Sequence, residues 1–184
     1  MINACKKCRR EGEKLMIKGD RCLSPKCAMV KRAYAPGQHG QGSFSKMSEY
    51  GKQLREKQKA RRIYGIGENQ FANYADKAGN TEGNTGNNLM KSLETRLDNV
   101  VYRLGFAVSR SHSRQMVSHG LILVNGKKAS IPSYHLKEED AVEPKNKALY
   151  EDLKSSGIPT WIEYDAKKTS GRIKHIPSRE EIDT

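Results

Sequence analysis

The sequence lacks several features that mark common protein classes. No apolar run of about 18 residues occurs, so a membrane-spanning helix is not expected. The N-terminal stretch has no apolar centre of the kind found in signal peptides, so we expect a reducing compartment. Acidic residues are few: 21 Asp and Glu stand against 34 Lys and Arg, a net charge of +13. That excess predicts a polyanionic partner, and no membrane is expected because no stretch joins a cationic face to a broad apolar one.

Aromatic and hydrophobic residues are also sparse, at 7% and 35% of the 184 residues. The length allows one sizeable domain or two small ones. No nucleophile–base arrangement is recognisable, so an enzyme is not expected. The basic segments contain no pair of neighbouring aromatics, so contact with the shape and backbone of a polyanion is favoured over stacking on single-stranded bases.

Cysteine is limited to two close pairs, Cys5-x2-Cys8 and Cys22-x4-Cys27. Two such pairs can close a tetrahedral site with no open position, which predicts a structural metal centre. Two disulfides or four separately buried thiols are the alternatives. The absence of an export signal disfavours the first, and the paired spacing disfavours the second. Zn²⁺ is the expected ion, although four thiolates also suit a 4Fe-4S cluster.

The stretch from Leu93 to Tyr134 has the clearest structural pattern. Helical apolar spacing is followed by a stop at Gly105 and a second short helix. Leu121–Val124 has the character of a strand, and Asn125-Gly126 is a strong hairpin signal. This small unit carries the candidate RNA contacts Arg96, Arg103, Arg110, Ser111, Arg114, Gln115, His119, Lys127 and Lys128.

Arg110 and Arg114 are the strongest candidates in that set. They are four residues apart on a predicted helix, so their like charges share a face and repel unless an anion lies between them. Phosphate supplies that anion, and the planar guanidinium groups bind it through paired donors. Simple pairing with helix neighbours is the alternative for cations such as Arg96.

Two N-terminal segments are also cationic. A polar helix predicted from Met47 to Tyr64 places four cations on one stripe, which is either a solvated face or a phosphate contact. Before it, Pro36-Gly37 predicts a turn. The candidate RNA contacts in these segments are Arg9, Arg10, Lys31, Arg32, Tyr34, Gln38, His39, Lys52, Arg55, Lys59 and Arg62.

Several of these motifs resemble a known family. RLDNVVYRLGF, SRSHSRQMVSHG and LVNGKKASIPSY are similar to the RNA-binding module named after the fourth small-subunit ribosomal protein. CKKCRREGEKLMIKGDRCLSPKCAMVKRAYAPGQHG resembles the N-terminal arm of the four-cysteine form of that ribosomal family. The resemblance runs from Cys5 to about Arg179. The segment QGSFSK, at 41–46, departs from it by having a single lysine where relatives carry several cations.

The resemblance implies an α+β fold: a mainly helical RNA-binding domain wrapped around a small two-helix and β-hairpin module, with an N-terminal metal knuckle. We therefore expect an arm at 1–44, a helical domain at 45–92 continued by 158–184, and the module at 93–157. A helix at 145–156 and a strand at 160–164 are also predicted, with Trp161 packed in the interior.

The function that the resemblance implies is structural. Such proteins bind the helix junction in the 5′ domain of small-subunit ribosomal RNA, nucleate assembly of the subunit body and lie near the site where messenger RNA enters. Implied partners are this RNA, messenger RNA and other small-subunit proteins including the fifth, and repression of the protein's own messenger is a further implied activity. The expected location is the ribosome of the cytoplasm, with an organelle matrix as the alternative.

Two other functions remain as alternatives. RNA pseudouridine synthases and a synthetase carry a similar module, but they need a catalytic domain for which about 25 residues would remain here. A free RNA-binding regulator or ribosome-associated factor could use the same module, although it has no obvious need for the cysteine arm.

Overall fold

A computed structural model describes residues 4–42, 46–150 and 157–182. The chain forms two compact units, Met1–Glu68 and Asn69–Thr184. The helices are Ala4–Glu11 (α1), Asp20–Leu23 (α2), Ala28–Lys31 (α3), Glu49–Tyr64 (α4), Glu68–Gly79 (α5), Thr85–Glu94 (α6), Leu97–Arg103 (α7) and Arg110–Ser118 (α8), with a 3-10 turn at Lys147–Tyr150. The strands are Ile122–Val124 (β1), Lys127–Ala129 (β2), Ala141–Pro144 (β3), Ile162–Asp165 (β4) and Ser170–Ile173 (β5). None of the described helices is long and apolar enough to cross a membrane.

The N-terminal unit is built around α4. Ser48 caps this helix by accepting a hydrogen bond from the Gly51 N–H at 3.1 Å, and Gly65 ends it in the left-handed conformation with φ 68°. Its last residue, Tyr64, is buried together with Ile66. The remaining helices of the unit are short, so its apolar core is small.

The C-terminal unit has a core formed by α7, α8 and the sheet. Leu97, Val100, Val101 and Leu104 point inward from α7 and its end, as the helical spacing predicted. Met116 and Val117 meet them from α8. Ser109 caps α8 by accepting from the His112 N–H at 3.3 Å. The two short helices therefore share one apolar seam.

One antiparallel sheet of five strands completes that core, in the order β2-β1-β3-β5-β4. The predicted hairpin is confirmed: Asn125 and Gly126 have φ of 51° and 75°, as a type I′ turn requires. Val124 pairs with Lys127 across it.

The final segment of the chain agrees with the prediction in part. The strand predicted at 160–164 is present as β4, but 158–184 was also expected to continue a helical domain, and β4 and β5 extend the sheet of the module instead. Val142 lies opposite Gly171 in the ladder between β3 and β5. Trp161 is 1% exposed, which confirms that it is packed in the interior. The β-branched and aromatic residues of this segment complete the module because its hairpin alone cannot cover the helices.

The turn-rich stretch 79–88 contains the start of α6, which Asn84 caps. The helix predicted at 145–156 is a 3-10 turn in its described part, and residues 151–156 lie outside the described residues, as do 43–45 of the segment QGSFSK.

Candidate nucleic-acid interface

The four cysteines of the N-terminal unit surround one small cavity of about 20 Å³. Cys5 and Cys8 lie three residues apart on α1, and Cys22 and Cys27 approach from α2 and the start of α3. None of these four cysteines is joined in a disulfide, so the disulfide alternative is not realised here. The Lys18 N–H donates to Cys22 Sγ at 3.3 Å.

The surroundings of Cys8 oppose ionisation of its thiol. Burial raises the pKa of Cys8, and the proximity of Cys22, Cys5 and Cys27 raises it further, while a backbone hydrogen bond at Leu15 acts in the other direction. Within the residues that the structure describes, no three His, Cys, Asp or Glu side chains form a ready group that could hold a metal ion. The four cysteines line the same cavity, but their sulfur atoms are not arranged as a ready set of metal ligands.

The loop after the cysteine arm is held by an arginine. Arg9 donates from Nε to the Tyr34 carbonyl at 2.9 Å and from its terminal nitrogen to the Ala35 carbonyl at 3.4 Å. Its guanidinium carbon lies 4.8 Å from the centre of the Tyr34 ring. Both side chains are thus engaged within the unit, and they fix the loop on which Gln38 and His39 are exposed.

The same loop requires a glycine at position 40, because there is no space for a side chain. A Cβ at this position would overlap the Ala35 carbonyl oxygen, and the Gly40 N–H donates to the Gly37 carbonyl at 3.3 Å. The glycine at position 40 therefore allows two parts of the chain's own backbone to approach closely.

The cationic stripe on α4 has carboxylate partners inside the unit. Arg55 lies 3.5 Å from Glu11, and Arg62 also pairs with Glu11. Lys59 lies 2.5 Å from Glu13, and this hydrogen bond is the main reason that the pKa of Lys59 is raised. Lys52 is the outer member of the stripe and pairs with Glu49 on the exposed surface at 3.1 Å. Arg55, Lys59 and Arg62 of the stripe therefore stabilise the N-terminal unit through ion pairs. Helical spacing alone could not distinguish this role from contact with phosphate.

A neighbouring groove contains the predicted contacts Arg10 and Arg62 together with three cations that were not predicted, Lys6, Lys7 and Arg61. It has a volume of about 650 Å³ and is lined by the backbone around Gly65 and Pro36 and by the basic side chains of Lys6, Lys7, Arg10, Arg61 and Arg62. Arg10 also donates to the Pro36 carbonyl at 3.4 Å. The selected cations Lys31 and Arg32 are exposed. The only sequence signal for Lys6 and Lys7 was their place between the first two cysteines.

In the C-terminal unit, the structure contradicts the prediction for Arg96. This residue is 0% exposed, and its guanidinium makes a paired contact with Asp98 at 2.9 and 2.6 Å and donates to the Tyr74 hydroxyl at 2.8 Å. Burial opposes its charge, but the contacts with Asp98 and Tyr74 outweigh burial and raise the pKa of Arg96. Arg96 joins helices in the interior and cannot reach RNA in this fold.

Arg103 is also turned toward a carboxylate. It contacts both oxygens of the buried Glu94 at 3.1 and 2.8 Å. Glu94 in turn accepts from Asn99 Nδ2 at 2.8 Å, and Asn99 Oδ1 accepts from Arg110 Nε at 2.8 Å. The Arg110 guanidinium lies 4.5 Å from the centre of the Tyr102 ring. Arg110 is therefore held in one orientation by α7 before any ligand arrives.

Arg114, the second arginine of the predicted pair, contacts a different residue of α7 from the one that Arg110 contacts. One nitrogen lies 3.7 Å from Asp98 Oδ2, and the side chain is 45% exposed. The structure thus gives each arginine a partner on α7 and leaves Arg114 accessible. Accessible residues on α8 and the hairpin extend this surface, namely Ser111, Gln115, His119, Lys127 and Lys128.

Comparison with known proteins agrees with these features. Residues 3–94 match the profile of the ribosomal protein S4/S9 N-terminal domain, and residues 95–142 match the S4 domain. The chain belongs to the uS4 family of small-subunit ribosomal proteins. The relative from Natranaerobius thermophilus, small ribosomal subunit protein uS4, is 53% identical over 97% of this chain and 90% of its own length.

Other uS4 relatives are equally similar. The protein from Syntrophomonas wolfei is 52% identical over 99% of this chain and 91% of its own length. That from Clostridium botulinum strain Eklund 17B is 54% identical over 97% of this chain and 89% of its own length. The recognition of the family from its motifs is therefore confirmed. The family is one of ribosomal proteins and not a class of enzymes.

Proposed function

We propose that this uS4 protein binds small-subunit ribosomal RNA as a structural component of the ribosome in the cytoplasm. The observation that carries the proposal is the preformed cationic surface of α8 and the hairpin. Arg110 is fixed by Asn99 and Tyr102, and Arg114 stands exposed one turn away. Fixed cations lose little side-chain entropy on binding, so a larger part of the phosphate interaction remains as affinity.

The mechanism is charge neutralisation by a rigid scaffold. Folded RNA helices repel where their phosphates converge, and cations held at that place release counterions and let the helices pack. The N-terminal unit contributes through its exposed loop at Gln38 and His39 and through the groove lined by Lys6, Lys7 and Arg10. The family resemblance adds that the RNA bound in this way is the five-way helix junction of the 5′ domain, early in assembly of the subunit.

Further parts of the proposal rest on the family resemblance. They are a place near the messenger RNA entrance, contacts with the fifth and other small-subunit proteins, and repression of the protein's own messenger. A core component and a free RNA-binding factor differ in a sucrose gradient at high salt. The core component stays with the small subunit, whereas a peripheral factor is removed.

A metal ion at the four cysteines is also part of the proposal. Cys5, Cys8, Cys22 and Cys27 would hold it, and it would supply the N-terminal unit with a cross-link that its small core does not provide. A cavity of about 20 Å³ suits a single ion such as Zn²⁺ better than the eight atoms of a 4Fe-4S cluster. Elemental analysis and an absorption spectrum of the purified protein distinguish the two.

The test of RNA binding uses the full chain with its metal. We expect it to prefer a transcript of the five-way junction over an unstructured RNA of equal length. Arg110→Gln and Arg114→Gln should each weaken junction binding and each lower the slope of log affinity against log salt by about 1. Equal binding of the two RNAs by the unmodified protein would refute the proposal.

A further inference from the structure

A second kind of RNA contact is indicated beside the hairpin, where apolar and basic side chains share one pocket. The pocket has a volume of about 450 Å³. Ile131 and Tyr134 are 61% and 44% exposed, although both are large and hydrophobic. The basic members of the lining are Lys127 and Lys128. Single exposed apolar residues are ordinary, but two of them in one pocket with two cations form a surface of mixed character.

The Tyr134 ring is placed by a rigid backbone. The Leu97 N–H donates to the Tyr134 carbonyl at 2.8 Å, and the Asp98 N–H donates to the Pro132 carbonyl at 3.1 Å. These bonds fasten the turn to the first residues of α7, where they satisfy donors that a helix start leaves unpaired. The Tyr134 N–H also donates to the Ile131 carbonyl at 3.1 Å. The ring is therefore presented on a fixed support.

The hairpin supplies the rest of the pocket lining, with residues of β2 and the end of β1. Strand β2 is the first in the order β2-β1-β3-β5-β4, so one of its sides carries backbone groups without a strand partner in the described part of the chain. Lys127 lies on this strand at the hairpin end. The stem of Lys128 crosses Gly120, whose missing side chain leaves room for it. An edge strand, a cation and a flat ring thus line one cavity.

We propose that this pocket binds an unpaired nucleotide of the RNA, with the base stacked on Tyr134 and the phosphate at Lys127. A base has an apolar face for the ring and polar edges for the strand backbone, and its phosphate matches the charge of the lysines. An acidic protein segment would match the lysines but would leave the exposed ring without a stacking partner. This inference rests on the proposed binding of ribosomal RNA and extends it from backbone contact to base stacking.

Substitutions at Tyr134 test the stacking. The full chain with its metal is titrated with the junction transcript at fixed salt. Tyr134→Phe keeps the ring and should bind within about 2-fold of the unmodified protein, whereas Tyr134→Leu should lose roughly 5- to 100-fold. The salt slope should stay unchanged for both, because no phosphate contact is removed. Lys127→Gln should lower that slope by about 1.

Leu121 provides the matched control. It is 45% exposed, like Tyr134, and does not line the pocket. Leu121→Gln should leave binding unchanged. Fluorescence of Tyr134→Trp, measured against the Trp161 background, gives a readout that a purely structural role would not alter. Stacking should quench it when the transcript is added.

The outcomes separate this inference from the proposed function. If the unmodified protein shows no preference for the junction, the proposed function fails. If it binds the junction but Tyr134→Leu binds as well as Tyr134→Phe, or the introduced Trp is not quenched, the nucleotide pocket is refuted while ribosomal RNA binding stands.

Discussion

Arg96 and Arg114 both contact the carboxylate of Asp98, yet their surroundings give them different roles. Arg96 is fully buried and uses both terminal donors on Asp98 and Tyr74. Arg114 is 45% exposed and lies 3.7 Å from the same carboxylate. A cation that reaches solvent is available to phosphate, whereas one that neutralises a buried carboxylate supports the fold. Burial, and not residue type, separates them.

Replacing Arg96 should therefore affect stability first. Arg96→Gln leaves the Asp98 carboxylate inside the protein without its main partner, which should lower the free energy of unfolding by about 3–5 kcal/mol. Arg114→Gln is the matched control and should cost less than about 1 kcal/mol, because exposed pairs are weak. Urea denaturation followed by Trp161 fluorescence measures both. The double variant with Asp98→Asn should recover part of the loss, and similar stabilities for the two single variants would contradict this account.

At the scale of elements, the strands contributed by the last part of the chain are what complete the core. Gly171 in β5 lies against Leu104 at the end of α7, and a Cβ at this glycine would overlap the Leu104 side chain. Leu104 is itself 2% exposed, so it has little room to move. The close packing of a helix on the sheet thus depends on one glycine.

Gly171→Ala should therefore destabilise the C-terminal unit. Overpacking of a core by one methyl group costs about 1–3 kcal/mol, and thermal unfolding should show a lower midpoint. Gly67→Ala serves as a control, because a Cβ there meets no atom within 4 Å and its φ is not in the left-handed region. Equal midpoints for Gly171→Ala and the unmodified protein would show that β5 does not press on α7.

The turn that follows β5 is held by the carboxylate of Glu181. The Ser178 N–H donates to it at 2.9 Å, and His175 and the Thr160 hydroxyl also contact it, at 2.9 and 3.0 Å. The Ser178 bond first, and the His175 contact second, lower the pKa of Glu181 from 4.5 to about 2. The ionised form is thus favoured in the folded state.

This carboxylate should make the turn sensitive to acid. Because the folded pKa is below the unfolded one, its contribution is complete above pH 4.5 and is lost as the pH falls toward about 2. Hydrogen exchange at the Ser178 amide should become faster over that range. In Glu181→Gln the exchange should be fast at all pH values once corrected for intrinsic rates, and a slow amide in that variant would contradict the assignment.

At the scale of the whole molecule, the two units depend on different kinds of stabilisation. The C-terminal unit has a continuous apolar core that joins α7, α8 and the sheet. The N-terminal unit has short helices beside α4, a few ion pairs to Glu11 and Glu13, and four cysteines around one cavity. A unit with so small a core gains much from a bound metal.

Removal of a metal should accordingly act on the N-terminal unit alone. A strong chelator should reduce the helical signal in circular dichroism, while the emission of Trp161, which is the single tryptophan and lies in the C-terminal core, should stay unchanged. Cys22→Ser should have the same effect without a chelator. If the helical signal is retained in both experiments, the cysteines do not hold a structural metal.

The sequence by itself determined the local features of this protein. Helical spacing in α7, the capping of α8 and the Asn125-Gly126 turn depend on neighbouring residues, so a pattern along the chain is sufficient to predict them. The family could also be recognised from the sequence, because its motifs occur in a specific order along the chain. The net charge likewise follows from composition and predicts a polyanion.

Only the tertiary structure decided which cations are free to bind and which support the fold. Arg55 and Arg62 lie in basic patterns like that of Arg114, but their carboxylate partner Glu11 comes from elsewhere in the chain. Arg96 is buried because Tyr74, 22 residues before it, packs against its guanidinium, although its carboxylate partner Asp98 is a near neighbour. The strands β4 and β5 joined the module for the same reason, since strand partners are separated by many residues. Contacts between distant residues depend on how the whole chain packs, and local spacing does not encode them.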